Sequence, residues 1–575
     1  MKETKILKGE PVSAGVAIGK VLIYGAAETE QQIAYFPAGQ EEQKLQEWKN
    51  AFNAASEELQ ALVAKLTGEG SSEAKIFSAH LEVLEDEELA EGVNDAICLS
   101  HMEPACAVRE AFGEFIDLLS MADDPLIAGR TADLKDVRNR ILRLMGDSSG
   151  ASLSELAEPV IVVARELLPS DTATMDREKV LGIVTEQGGS TSHSAIIARG
   201  YGIPAVLGVN NVMALAENGE MLIADGETGE LILSPTDEQR QKYLEKQDSF
   251  NLYKLLLEKY YDTEGRTGDG ERIEIGLNIG SEKDVSGMAQ TDYVGLFRTE
   301  FLYMQAESMP GEEEQFEAYR TVLQNAQGKP VTLRTLDIGG DKSLPYLVLE
   351  KEENPFLGVR ALRLCLKEKE LFVTQLRAAL RASVYGKLWI MLPMVGSLED
   401  VRRAKAVVEE VKAQLTNEGK AYDPDFKLGI MIEIPAAALI ADLLAEEVDF
   451  ASIGSNDLTQ YTCAVDRMNS NLSDYYQSLA PSVLRLMSMS VSAFNNAGKP
   501  ISICGELGGD TRATEILVGL GMRKLSMNNS AIAGVKHALS KLDVESAQQL
   551  AQQVLNMRTQ QEVLEAVKAY KKARE

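Results

Sequence analysis

Residues 331–340 read VTLRTLDIGG: a short apolar core that closes on Arg334, Asp337 and a pair of glycines. Seven later or earlier segments downstream of residue 263 share that pattern of an apolar run followed by a polar or glycine-rich end. They are IEIGLNIG (273–280), YVGLFRTE (293–300), LWIMLPMV (388–395), LGIMIEIP (428–435), DFASIGSND (449–457), ISICGELGG (501–509) and KLSMNN (524–529). Helical stretches lie between them. Strands alternating with helices, about eight of each over roughly 310 residues, predict a (β/α)8 TIM barrel across 263–575, with the chemistry at the C-terminal strand ends.

Those ends carry Arg298, Arg334, Asp337, Asp341, Lys342, Glu433, Asn456, Asp457 and Cys504, with Arg360 and Arg467 in following loops. Several guanidinium groups among several carboxylates suit a multiply charged anion that shares its pocket with a divalent cation, because arginine binds phosphate and carboxylate in a planar, bidentate fashion. Glu433 and Asp457 on adjacent strand ends form a minimal oxygen pair for Mg2+, which takes few protein carboxylates. The plainer alternative is that these charges pair with one another across the barrel rim. Cys504 has two readings as well: a buried structural thiol, or a proton donor at the barrel mouth. Cys463 reads as packing, and His101 and His537 as ordinary helical or surface histidines.

Upstream the pattern changes. Residues 36–145 are rich in Glu, Ala, Leu and Gln with helical periodicity, and read as a helical insert. Short strands flank it, in GVAIGKVLIYG (15–25), PVIVVARELLPSDTA (159–173), KVLGIVTEQGG (179–189) and MLIADGETGELILSP (221–235), so 1–35 and 146–235 are expected to form one α/β domain. Residues 236–262 read as a long polar linker helix. Within the α/β domain, GGSTSHSAIIAR (188–199) sets glycines and hydroxyl side chains around His193 just before a helix-like run. Amide groups at a helix start hold anions, and an imidazole attacks phosphorus at neutral pH. An N-capped helix whose histidine only fills a turn is the alternative.

The formal charge of −30 over 575 residues argues against nucleic acid or anionic lipid as a general partner and favours a basic protein. Five scattered cysteines form no CxxC pair, and the N-terminal MKETKILKGEPVSAG lacks the apolar core of a signal peptide. No apolar run approaches a membrane span. A cytoplasmic enzyme without membrane insertion is expected.

Taken together these segments resemble enzyme I of the bacterial phosphoenolpyruvate:sugar phosphotransferase system. GGSTSHSAIIAR is similar to that family's phosphohistidine segment, and ASIGSNDLTQYTCAVDR (451–467) to its second phosphoenolpyruvate-enzyme segment. GLFRTEFLYM (295–304), RTLDIGGDKSLPY (334–346), ENPFLGVRA (353–361), IMIEIPAA (430–437) and CGELGGD (504–510) extend the resemblance in order along the chain. It implies a swivelling phosphohistidine domain with an inserted helical bundle, a linker helix and a barrel that binds phosphoenolpyruvate and dimerises. It implies His193 as the phosphorylated nucleophile and Cys504 as the proton donor. Arg298, Arg334, Asn456, Asp457 and Arg467 would bind phosphoenolpyruvate, with Lys342 and Arg360 nearby. Glu433 and Asp457 would hold Mg2+, and Thr172 would orient the histidine. In the bundle, His80 and Arg130 match the docking surface for the histidine phosphocarrier HPr, where a solvated acidic face is the alternative. One residue departs: Ser190 stands where the family commonly has arginine. That departure is the support for a rival expectation, a catalytically weak paralogue that acts as a binding scaffold or serves a different carrier. Pyruvate phosphate dikinase and phosphoenolpyruvate synthase share both signatures but add a large ATP-grasp domain, and nitrogen-system relatives add a sensor domain.

Overall fold

A computed structural model describes residues 4–25, 33–68, 74–120, 130–146, 153, 156–189, 192–304, 306, 308–339, 344, 346, 347, 349, 350 and 352–574. The chain divides into two compact units, Met1–Tyr253 and Lys254–Glu575.

The first unit is built on one sheet. Its strands are β1 (Lys5–Lys8), β2 (Glu10–Ser13), β3 (Val16–Tyr24), β4 (Val160–Ala164), β5 (Val180–Thr185), β6 (Ala205–Leu207), β7 (Met221–Asp225) and β8 (Glu230–Leu233), in the spatial order β1-β8-β7-β3-β4-β5-β6-β2. The centre, β3-β4-β5-β6, is parallel, and β4 is the sequence VIVVA with every residue buried. A continuous β-branched run fits a strand covered on both faces. The β7–β8 hairpin and β1 extend one edge in antiparallel fashion, and β2 closes the other.

Between β3 and β4 the chain leaves the sheet for the helices Glu41–Gly68, Ala74–Leu84, Glu87–Cys98, Pro104–Ser120 and Thr131–Leu144. These enclose a core of their own, around Trp48, Phe77, Ile97, Phe112 and Ile141. β3 and β4 nevertheless pair residue for residue from Lys20–Val160 to Tyr24–Ala164, so the sheet forms as if the insert were a loop.

In the second unit all eight apolar segments are strands: β9 (Glu274–Ile279), β10 (Tyr293–Arg298), β11 (Val331–Arg334), β12 (Leu388–Leu392), β13 (Lys427–Ile432), β14 (Phe450–Ile453), β15 (Ile501–Ile503) and β16 (Lys524–Met527). Each pairs in parallel with the next, and β16 closes the barrel on β9 through Lys524–Glu274 to Met527–Leu277. Leu296, Met391, Met431, Phe450 and Cys504 form one buried cluster with Trp389 against it. A packed interior of this kind leaves the chemistry to the strand ends. The helix Asp237–Tyr261 runs through the unit boundary, and Tyr243 is its one buried side chain.

Both histidines expected to be helical or surface residues are so placed: His101 lies outside the helices, at φ 54°, with its side chain 37% exposed, and His537 sits in the helix Ile532–Ser540, where it is buried edge-on to Tyr260 at 4.9 Å between ring centroids.

Candidate active site

At the C-terminal end of the barrel, Arg334 is the last residue of β11 and is buried. Its guanidinium pairs with Glu300 and, at 3.1 Å, with Asp337. Asp337 turns its other oxygen to Arg360 at 2.8 Å, and Arg360 continues to Asp457 at 3.6 Å. Asp457 in turn meets Arg467 at 3.4 Å. The result is one alternating chain of cations and anions from Glu300 to Arg467, which fixes the planes of three guanidiniums. Burial by itself would lower the pKa of Arg334, but the charges of Glu300, Asp337 and Glu433 outweigh it and hold it above its ordinary value. Arg360 behaves in the same way, with burial opposed by Asp337 and Asp457.

Arg298, the last residue of β10, differs. Burial first, and then the neighbouring charge of Arg334, lower its pKa. Its environment therefore favours an added anion.

Glu433, one residue beyond β13, is fully buried, and burial followed by the charge of Asp457 pushes its carboxyl up to about 8. One oxygen accepts the Met394 amide at 2.5 Å; the other, Oε2, has no hydrogen-bond donor among the described residues, and neither has Asp457 Oδ1. The Met394 amide is aimed by a backbone with φ 54°. Gly454 lies so close that a Cβ there would sit 2.9 Å from Glu433 Oε2. Two buried carboxylate oxygens without donors suit a hard cation. Among the described residues no group of three or more His, Cys, Asp or Glu side chains is placed to hold a metal ion, so a cation here would rest on this pair and on oxygens from outside the protein.

Cys504 follows β15 directly and is buried. Its amide donates to Ile453 O at 3.1 Å and its carbonyl accepts Asn278 Nδ2 at 2.9 Å. Burial pushes the thiol up to about 11, against a Ser452 hydrogen bond and the charge of Arg334, so at neutral pH it keeps its proton. Asn456 Oδ1 accepts the Glu506 amide at 3.2 Å and ties the turn after β14 to the turn after β15. The Arg360 loop docks on the turn after β11 through Ala361 N to Ile338 O, 3.0 Å. Gly339, at φ 111°, is the glycine this approach requires, since a Cβ would stand 2.6 Å from that of Arg360.

The structure thus brings together Arg298, Arg334, Arg360, Glu433, Asn456, Asp457, Arg467 and Cys504. Lys342 and Asp341 lie outside the described residues, as does Ser190. Sequence reasoning missed Glu300, although it follows Arg298 by two residues in YVGLFRTE. It also missed Tyr461, whose hydroxyl is 3.3 Å from Arg360 Nη1, and the Met394 amide. No sequence pattern announces a backbone amide as the partner of a carboxylate.

In the first unit, His193 begins the helix His193–Tyr201. Ser192 is its N-cap, with Oγ accepting the Ala195 amide at 3.3 Å, and Gly202 ends it at φ 65°. Ser194 Oγ donates to Leu167 O at 3.3 Å, which ties this helix to the segment leading into the helix Pro169–Thr174. Thr172 on that short helix is buried and donates to Pro169 O at 2.9 Å. Asp136 of the bundle accepts both the amide and the hydroxyl of Ser170, and Asp171 accepts Tyr24 OH at 2.5 Å and the Leu168 amide at 2.8 Å.

In the bundle, Arg130 is exposed ahead of the helix Thr131–Leu144. His80 is fully buried, with Nε2 3.2 Å from Asp133 and its ring edge-on to Phe77. The His80 ring has no exposed surface, which corrects the expectation that it lies on the outer face of the bundle, while Asp133 beside it is partly exposed. The spacing of Phe77, His80 and Leu84, all buried, already put His80 on the inner face of its helix.

Comparison with known proteins gives the family. Residues 8–130 match the family described as PEP-utilising enzyme, N-terminal; 156–229 match PEP-utilising enzyme, mobile domain; and 255–544 match PEP-utilising enzyme, PEP-binding domain. The chain is 41% identical to the phosphoenolpyruvate-protein phosphotransferase of Staphylococcus carnosus (strain TM300), over 99% of both chains. It is 42% identical to that of Bacillus subtilis (strain 168), over 98% of this chain and 99% of the relative. A solution NMR structure of an enzyme I protein is similar at 36% identity over 43% of this chain and 99% of that one, with a TM-score of 0.36. Identity at this level over the full length of both chains makes this protein a member of the phosphoenolpyruvate-protein phosphotransferase family.

Proposed function

We propose that this protein transfers the phosphoryl group of phosphoenolpyruvate to its own His193 and then to a histidine of a small phosphocarrier of the HPr type, releasing pyruvate. The observation that carries the reading is the convergence of four arginines with Glu433, Asp457 and Cys504 at one end of the barrel. Arg298 and Arg334 receive the phosphoryl oxygens, and Arg467 and Asn456 hold the rest of the anion, with Lys342 and Arg360 nearby. Glu433 and Asp457 hold Mg2+, which when bound neutralises charge on the phosphoryl group and the enolate. The His193 imidazole attacks phosphorus in line and the bond from phosphorus to the enol oxygen breaks. The Cys504 thiol then gives its proton to the methylene carbon of the enolate, which leaves as pyruvate. Thr172 orients His193, and the Ser194–Leu167 bond supports that role by holding the His193 helix to the segment that leads into the helix of Thr172.

His193 and the barrel site belong to different compact units, so the reaction requires the phosphohistidine domain (1–35 and 146–235) to swing on the linker 236–262 between the barrel (263–575) and a carrier bound at the bundle (36–145). At the bundle, Arg130 meets the carrier directly and His80 acts through Asp133. A homodimer through the barrel is supported by exposed Leu439, Leu443 and Met489 on three helices that pack against one another. The reaction is assigned to the cytoplasm; among the described residues no helix is long and apolar enough to cross a membrane.

Incubation with phosphoenolpyruvate labelled in its phosphoryl group, with Mg2+, tests the reading. Acid-labile label on the wild type and none on His193→Ala is the expected result. No label on the wild type would leave the binding scaffold that Ser190 suggests, and Ser190→Arg would then restore transfer or change the carrier preferred.

A further inference from the structure

Behind the β10 and β11 ends, outside the ring of charges, runs a second polar network that is fully buried. Gln375 sits on the inner face of the helix Lys369–Ala382 with no exposed surface. Its Oε1 accepts the Leu336 amide at 2.9 Å, and its Nε2 donates to Thr299 Oγ1 at 3.1 Å and to Tyr319 OH at 3.2 Å. Thr299 Oγ1 passes its own proton to Arg334 O at 2.9 Å. Tyr319 OH donates to Gln315 Oε1 at 3.0 Å, Tyr303 OH donates to the same oxygen at 3.0 Å, and Gln315 Nε2 donates to Pro310 O at 2.8 Å.

The direction of every bond is determined. A backbone amide can only donate and a backbone carbonyl can only accept, so Leu336 N and Arg334 O fix the orientation of the Gln375 amide and of the Thr299 hydroxyl. One carboxamide thereby grips two turns. The turn after β10 holds Arg298 on one side of Thr299 and Glu300 on the other; the turn after β11 holds Arg334, Leu336 and Asp337. These are the segments whose side chains form the first half of the charge chain. An apolar side chain of equal size would fill the same space with little loss of packing, so filling does not account for a buried group that satisfies three partners.

We propose that Gln375 is a positioning residue for phosphoryl transfer, setting the spacing between the Arg298–Glu300 turn and the Arg334–Asp337 turn through Thr299 and Leu336. This rests on the assignment of Arg298 and Arg334 to the phosphoryl group. Gln375 touches no substrate. It acts by holding two guanidiniums at one separation, where a shift of about 1 Å costs up to about 100-fold in rate.

The test uses the full-length chain with phosphoenolpyruvate and Mg2+, followed as label on His193 well below the melting temperature. Gln375→Glu keeps the size but sets an oxygen against Thr299 Oγ1 and Tyr319 OH, and Gln375→Leu removes both donors and the acceptor. Either is expected to lower kcat/KM by about 10- to 100-fold. Val554→Ala, in the helix Val544–Val554, is the control for loss of stability alone, and is expected to lower the melting temperature with kcat/KM unchanged. In an Arg334→Lys background, Gln375→Glu should add less than about threefold, because the two residues act as a unit. Full additivity in that cycle, or kcat/KM within about twofold of wild type in both Gln375 variants, would overturn the proposal. Wild-type kcat/KM in Arg334→Lys alone would instead overturn the site assignment on which it rests.

Discussion

Burial moves Glu433 and Cys504 in the same direction and to opposite use. Each is pushed toward its protonated form in the barrel interior. For the proton donor proposed at Cys504 that is the working state, since such a donor must hold its proton until a carbanion forms beside it. For the carboxylate it marks a site that gains when a cation is added. Cys504→Ser leaves a hydroxyl that is a far weaker acid; pyruvate release is expected to slow by about 100-fold or more, while transfer onward from His193 that is already phosphorylated keeps its rate. Rapid-quench measurement of the two half-reactions checks this, and equal slowing of both would count against Cys504 as the donor. Glu433 and Arg334 were legible from their places at strand ends. Their partners were not, because the Met394 amide and the Glu300 carboxylate come to them through the barrel's curvature and not through spacing along the chain.

The turns that carry these residues have little room. At Gly454, just beyond β14, a Cβ would stand 2.9 Å from Glu433 Oε2 and 3.0 Å from Met431 Sδ. Gly454→Ala is expected to cost about 1–3 kcal/mol of stability and to weaken Mg2+ binding, read by denaturation and by Mg2+ titration of the label assay. In the first unit the helix Pro169–Thr174 depends on Asp171. Burial pushes that carboxyl up to about 6, against hydrogen bonds from Tyr24 and the Leu168 amide, and the charge of Asp136 adds to the rise. A carboxyl whose folded pKa exceeds its unfolded value contributes stability in full below the unfolded pKa and loses it as pH rises through the folded one. Asp171→Asn removes the titrating charge and keeps one acceptor oxygen, with an amide nitrogen in place of the other. Relative to that variant, the wild type is therefore expected to lose about 1 kcal/mol between about pH 5 and pH 7, measured as the difference in unfolding free energy. A flat difference would mean that Asp171 titrates alike in both states.

At the scale of the molecule, two compact units predict two cooperative events. Ile161 is fully buried in β4 and Leu333 almost so in β11. Ile161→Ala and Leu333→Ala are each expected to cost about 2–5 kcal/mol, and in calorimetry each should lower a different one of two transitions. A single transition lowered equally by both would show the units to unfold as one. The C-terminal end of the helix Asp237–Tyr261 belongs to the barrel unit: the Lys536 ammonium donates to Tyr261 O at 2.7 Å and to Gln290 O at 2.8 Å, and Tyr261 OH donates to Asn529 at 2.5 Å. A buried ammonium that satisfies two carbonyls anchors that end firmly. Past Lys246 and Gln247, which bond to Asp225 and to Val16 O in the first unit, the stretch from 248 to 259 is mostly exposed.

The barrel was determined by sequence alone. Each of its strands is apolar through its length and polar at its end, a local pattern that survives any change in what lies between strands; the same holds for VIVVA in β4 and for the Ser192 cap ahead of His193. Only the tertiary structure decided the rest: that Asp337 is shared by two arginines, that the Met394 amide meets Glu433, and that Gln375 reaches two turns at once. These depend on contacts between residues far apart in the chain, and a buried carboxamide or carboxylate has no periodicity to declare which partner the folded chain will bring to it.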